Sequence, residues 1–106
     1  MLLRAVAWAM NHDGAMSTTA VQVRVSGRVQ GVAFRWEAQH AAQGFGVTGW
    51  VRNEPDGSVT THVEGEPDAV DDMVAWLRTG PPAARVSNVA VRDAAPAGAT
   101  SFEITG

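Results

Sequence analysis

Val21, Val23 and Val25 alternate with Gln22, Arg24 and Ser26, the period of a half-buried strand. A glycine-containing loop follows. From about Ala33 to Gln43 the spacing changes to that of a helix, with Phe34, Ala38 and Ala41/Ala42 on one face. Gly44 and Gly46 supply its stop. Val47 to Arg52 reads as a second strand and Ser58 to Glu64 as its return, with Val59, Thr61 and Val63 on one face. Between them Asn53-Glu54-Pro55-Asp56-Gly57 forms a turn, because proline presets one dihedral and glycine takes the left-handed position.

Pro67 opens a second helix as its first residue. Val70, Met73, Val74 and Leu77 fall at i, i+3, i+4 and i+7, a core stripe, and Asp71 and Asp72 mark the solvated face. Gly80-Pro81-Pro82 ends the helix. Arg85 to Val91 reads as a strand with a bulge. Ser101 to Thr105 reads as a short last strand with Phe102 and Ile104 on one face. Trp36, Trp50 and Trp76 are expected in or at the rim of the core.

The order βαββαβ plus a short strand predicts an α+β, ferredoxin-like split βαβ sandwich, two helices on one face of an antiparallel sheet. In that arrangement the first two strands are parallel and the third lies between them. Their C-terminal ends then share one sheet edge, about 10 Å apart at two strand spacings. The Gly27–Val32 loop and Asn53 meet at that edge.

The start of the first helix is chemically odd. No Ser, Thr, Asp or Asn stands at positions 27–34 to cap it. Arg35 sits in its first turn, where the helix dipole disfavours a cation by about 0.3–1 kcal/mol. An anion, most simply a phosphate, resolves both features at once. Between Val21 and Asn53, Arg24, Arg28, Arg35 and Arg52 face only Glu37, on a chain whose formal charge is −3. A local positive field on an acidic protein suits a small anion better than a long polyanion.

Composition narrows the chemistry further. A chain of 106 residues makes one domain. With no cysteine, disulfides, Fe–S clusters and thiolate zinc sites are excluded. His12, His40 and His62 have no ligand spacing, so no metal site is expected. Gly44-Phe-Gly-Val-Thr-Gly49 matches G-x-G-x-x-G but runs from helix to strand, the reverse of a dinucleotide site. No Lys-Ser/Thr follows the Gly27–Val32 loop, so it is not a Walker A loop. RNA-recognition domains share this element order, but strands 21–26 and 58–64 carry no aromatic residue on which to stack bases. The apolar run Met1–Met10 is too short to span a membrane. Residues 1–18 are read as a mobile extension preceding a domain at 19–106, and the protein as cytoplasmic and monomeric.

Gly27-Arg28-Val29-Gln30-Gly31-Val32-Ala33-Phe34-Arg35, followed by Gly49-Trp50-Val51-Arg52-Asn53, strongly resembles the acylphosphatases. The resemblance runs from Val21 onward and takes in Gly65, Trp76-Leu77 and Gly80-Pro81-Pro82. It departs at position 33, which is often larger in that family and is Ala here. The resemblance implies hydrolysis of the carboxyl–phosphate bond of small acyl phosphates, with no cofactor. It implies phosphate binding by Arg35 together with the amides of Arg28, Val29, Gln30, Gly31 and Val32. It also implies that Asn53 orients the attacking water.

Overall fold

The computed structural model describes residues 18–106. The expected extension at 1–18 therefore lies, apart from Thr18, outside the described residues. The elements are β1 (Thr19–Arg28), α1 (Phe34–Phe45), β2 (Thr48–Asn53), β3 (Val59–Gly65), α2 (Pro67–Thr79), β4 (Arg85–Ala94) and β5 (Phe102–Ile104). The five strands form one sheet in the order β4-β1-β3-β2-β5. β3 pairs antiparallel with both β1 and β2, which makes those two parallel, as expected.

The sheet is mixed, not antiparallel throughout, because β5 pairs parallel with β2, Gly49 opposite Phe102 and Val51 opposite Ile104. The chain path explains this. β4 lies at one edge of the sheet and β5 at the other. β4 finishes at Ala94 beside Ala20, the end of the sheet where β3 finishes and β2 begins. The segment that follows crosses there and enters β5 from the same end as β2.

Both helices pack on one face. Val23 and Val25 of β1, Val51 of β2 and Val59 and Val63 of β3 meet Phe34, Ala38 and Ala42 of α1 and Val70, Met73 and Leu77 of α2, all buried. Phe34 and Trp76 join the two helices edge to face, ring centroids 5.7 Å apart. Gly49 has φ +140°, and a Cβ there would lie 1.7 Å from the His62 carbonyl oxygen, so only glycine lets β2 approach β3.

His62 and Glu64 are buried on the other face of the sheet, which a half-buried alternation does not predict. The crossing segment accounts for it. Glu64 accepts backbone N–H bonds from Ala97 (2.9 Å), Gly98 (3.0 Å) and Ala99 (3.2 Å), and shares a 2.6 Å bond with His62 Nε2. The His62 ring stacks beside Trp50, and Arg52 lies over the Trp50 ring at 4.6 Å. No helix among the described residues is long and apolar enough to cross a membrane.

Candidate active site

β1 runs two residues further than its alternation predicts, to Arg28, with the bulge in its pairing with β4 falling between Ser26 and Gly27. A Cβ at Gly27 would lie 2.2 Å from the Arg85 carbonyl oxygen, which fixes glycine at this point. The loop therefore spans Val29 to Ala33. It ends in an unusual residue: Ala33 takes φ 60° and ψ 26°, the only positive φ outside glycine among the described residues. A left-handed alanine costs about 1–2 kcal/mol. No side chain caps α1, and the first helical bond runs from the Glu37 N–H to the Ala33 carbonyl. The preceding N–H groups have no partner within the helix.

A cavity of about 190 Å³ opens at this helix start. It is lined by Val29, Gly31 and Ala33 of the loop, Phe34, Arg35 and Trp36 of α1, Asn53 of β2 and Ile104 of β5. Of the expected phosphate-holding residues, the structure brings Val29, Gly31 and Arg35 together with Asn53. Arg28 stands exposed on β1 opposite Arg85, and Val32 packs against the core. The Gln30 side chain serves the loop differently: its Nε2 donates to the carbonyls of Glu54 (2.8 Å) and Ser58 (2.9 Å). The loop is thereby tied to the β2–β3 turn, one residue from Asn53.

That turn is itself braced. Glu54 N–H donates to the Ser58 carbonyl at 2.8 Å, and Asp56 accepts from both the backbone N–H and the hydroxyl of Ser58. Those two bonds, with Arg24, hold the Asp56 carboxyl down at about 2. Glu54 is likewise held below the usual carboxylate range by the Thr60 hydroxyl and by Arg52, its ion-pair partner at 2.9 Å. The carboxylate that follows Asn53 in the chain is thus occupied.

Two groups in the cavity stand out. Asn53 Oδ1 is buried and has no hydrogen-bond partner, the only such side-chain atom among the described residues. An unsatisfied buried acceptor costs about 1–3 kcal/mol and requires an explanation. Arg35 pairs with no Asp or Glu among the described residues; its Nη1 donates to the Gly106 carbonyl, which also accepts from the Asn53 N–H. A guanidinium carries five N–H donors, so most remain available. A cation, an uncapped helix start and a left-handed loop residue make a setting that attracts anions.

Two lining residues were not anticipated. Trp36, expected in or near the core, is 54% exposed. Its position was legible: two residues beyond Phe34 at 3.6 residues per turn is the far side of the helix from the core. Ile104 shares a face with Phe102, but only Phe102 is buried; Ile104 stays 38% exposed at the cavity. Nothing in a three-residue strand announces that difference.

A second cavity, of about 220 Å³, lies among Gln22, Arg24, Thr60 and Arg92. Its arginines already have partners, Asp56 and Ser58 for Arg24 and the Gln22 amide oxygen for Arg92. No group of three His, Asp or Glu side chains gathers among the described residues.

Fold and cavity define an α+β sandwich with a cationic pocket at one sheet edge, beside an uncapped helix start. The acylphosphatase family model matches residues 21–104. An acylphosphatase from Nocardioides sp. is 53% identical over 92 residues, which cover 87% of this chain and 92% of that protein. Among solved structures, an acylphosphatase from Coxiella burnetii superposes with TM-score 0.84 at 35% identity, covering 88% of this chain and 98% of the other. One from Bacillus subtilis does so with TM-score 0.80 at 32% identity, covering 83% and 99%. The chain belongs to the acylphosphatase family, and hydrolysis of small acyl phosphates is its general activity.

Proposed function

We propose that Arg35 and the backbone amides of residues 28–32 hold the phosphoryl group of an acyl phosphate, while Asn53 orients the water that attacks phosphorus. The observation that carries this reading is the buried, unpartnered Oδ1 of Asn53, a residue that lines the same cavity as Arg35. A carboxamide oxygen is an acceptor, so it suits the O–H of a water. Holding that water in line converts a random encounter into a positioned one.

The rest of the chemistry asks little more of the protein. The leaving group is a carboxylate, whose conjugate acid has a pKa of about 4–5, so it departs without a general acid at neutral pH. Phosphoryl transfer through a loose transition state is helped mainly by positioning and by charge stabilisation on the equatorial oxygens. A guanidinium offers paired donors to those oxygens, and preorganised amides supply the remainder. Arg35 would turn some donors to phosphate while its Gly106 bond steadies the side chain. The proton of the attacking water passes to a phosphoryl oxygen, and the products are a carboxylate and inorganic phosphate.

The test separates the two roles. Hydrolysis of an acyl phosphate such as benzoyl phosphate is measured in chelator, along with competitive inhibition by inorganic phosphate. Arg35→Ala should lose both turnover and phosphate inhibition. Asn53→Ala should lose turnover, by about 10²-fold or more for a positioning group, and keep phosphate inhibition. Near-normal turnover in Asn53→Ala would remove the water-holding role.

A further inference from the structure

Trp36 leaves more than half of its surface in solvent, next to the one cationic residue of the cavity. Four large hydrophobic side chains are exposed among the described residues: Trp36, Phe45, Val91 and Ile104. Two of the four, Trp36 and Ile104, line the same cavity as Arg35 and Asn53. They arrive from separate elements, α1 and β5, so their meeting is not a by-product of one amphipathic segment. Exposed apolar surface rimmed by polar groups marks a binding surface.

Trp36 and His40 lie one helical turn apart, ring centroids 4.1 Å apart at 44°, so the imidazole packs beside the indole. An aromatic ring, with only two rotatable bonds, loses little conformational freedom when a ligand packs on it. Neither side chain fits the needs of phosphate: an indole offers one N–H, and the isoleucine hydrocarbon offers none. Their chemistry matches the other end of the substrate. An acyl phosphate is a dianion at one end and, for many acyl groups, a hydrocarbon at the other.

We infer that Trp36 and Ile104 form an acyl-side subsite that gives this enzyme a preference for acyl phosphates with an aromatic or extended apolar acyl group. This rests on the placement of phosphate at Arg35 proposed above. Substrate is then oriented by two unlike grips, charge at the phosphoryl end and apolar contact at the acyl end. A methyl group reaches too little of the indole to gain much, whereas a phenyl ring can stack on it.

The experiment compares kcat/KM for benzoyl phosphate and acetyl phosphate in the wild-type protein, Trp36→Ala, Trp36→Phe, Ile104→Ala and Arg35→Ala. The benzoyl-to-acetyl ratio should fall about tenfold in Trp36→Ala, the discrimination expected of a small apolar pocket. It should fall by a smaller factor in Ile104→Ala and recover partly in Trp36→Phe. The loss should appear in KM for benzoyl phosphate more than in kcat, which a general loosening of the fold would not produce. A ratio unchanged in Trp36→Ala, with Arg35→Ala still inactive on both substrates, overturns the acyl subsite and leaves the phosphate site standing. Normal turnover in Arg35→Ala overturns the phosphate placement and the subsite with it.

Discussion

Replacing Glu64 tests how the far end of the sheet supports the cavity. The carboxylate receives four bonds, three from the Ala97–Ala99 backbone and one from His62. Glu64→Gln keeps the shape. Its retained oxygen can still serve Gly98 and Ala99. The new amide then faces the Ala97 N–H as a donor facing a donor, and keeps His62 only through the ring tautomer that leaves Nε2 an acceptor. Losing the Ala97 bond and the charge assistance of the remaining ones costs about 1–3 kcal/mol. Glu64→Ala removes all four. At about 1.5–3 kcal/mol for each bond to a charged group the sum would be larger, but Ala97 and Gly98 are exposed and water can take their N–H groups. A loss of about 3–5 kcal/mol is therefore expected, the range for breaking a buried ionic network.

Urea unfolding at pH 7 should show this as a lower midpoint with unchanged slope. The pH dependence carries the sign. Burial alone would raise the Glu64 pKa, but the Ala97 N–H, His62 and the Ala99 and Gly98 N–H groups outweigh it and hold the carboxyl below its usual 4.5. A group depressed in the folded state adds stability above its unfolded pKa and loses it as pH falls through the folded value. The difference between wild type and Glu64→Gln should therefore be full at pH 7 and shrink below about pH 4.5. Hydrogen exchange should speed at the Gly49 and Thr105 amides, which bond to Ser101 and Val51, because the anchored crossover leads into β5. Equal midpoints at pH 7, or a gap that widens on acidification, would refute the argument.

Two further substitutions probe the frame of the cavity. Gly49→Ala would place a Cβ 1.7 Å from the His62 carbonyl and should prevent folding, whereas Gly57→Ala, with open space around it, should cost only about 1–2 kcal/mol for its left-handed backbone; circular dichroism and denaturant midpoints distinguish them. Gln30→Met keeps volume but unties the loop from the turn. The Glu54 and Ser58 carbonyls each keep a second donor, so stability should fall by only about 1–2 kcal/mol while inhibition by inorganic phosphate weakens several-fold in the turnover assay.

The frame of the fold was legible because its signals are local. The valine alternation of β1, the i, i+3, i+4, i+7 stripe of α2 and the Pro55-Asp56-Gly57 turn each follow from neighbouring residues. The meeting of Arg35 with Asn53 followed from topology, since parallel β1 and β2 around β3 leave their C-terminal ends on one edge. What stayed hidden depends on a non-local path. The crossover from Ala94 to Phe102 buries Glu64 and His62, makes β5 parallel and carries Ile104 to the cavity. Its seven connecting residues, AAPAGATS less the first, have neither periodicity nor charge to announce where they cross. The Gln30 side chain was hidden for the same reason, since its partners lie 24 and 28 residues away.

The local costs of this domain are concentrated. Asn53 Oδ1 is buried without a partner, Ala33 holds a left-handed backbone, α1 starts without a cap and carries a cation at its positive end, and Trp36 stands in solvent. The left-handed alanine and the orphaned oxygen cost about 1–3 kcal/mol each, and the cation at the helix start about 0.3–1 kcal/mol. Chance placement would scatter such features over the surface. All of them border one cavity of about 190 Å³. Sequences agree with their folds at most positions and depart from them where function demands it. On the proposed reading an acyl phosphate would relieve all of these but the backbone strain of Ala33: its oxygens would take the N–H groups and the guanidinium, the attacking water would take the Asn53 oxygen, and the acyl group would cover the indole. The frame that tolerates them is the ordinary part of the domain, a valine-rich sheet under two amphipathic helices.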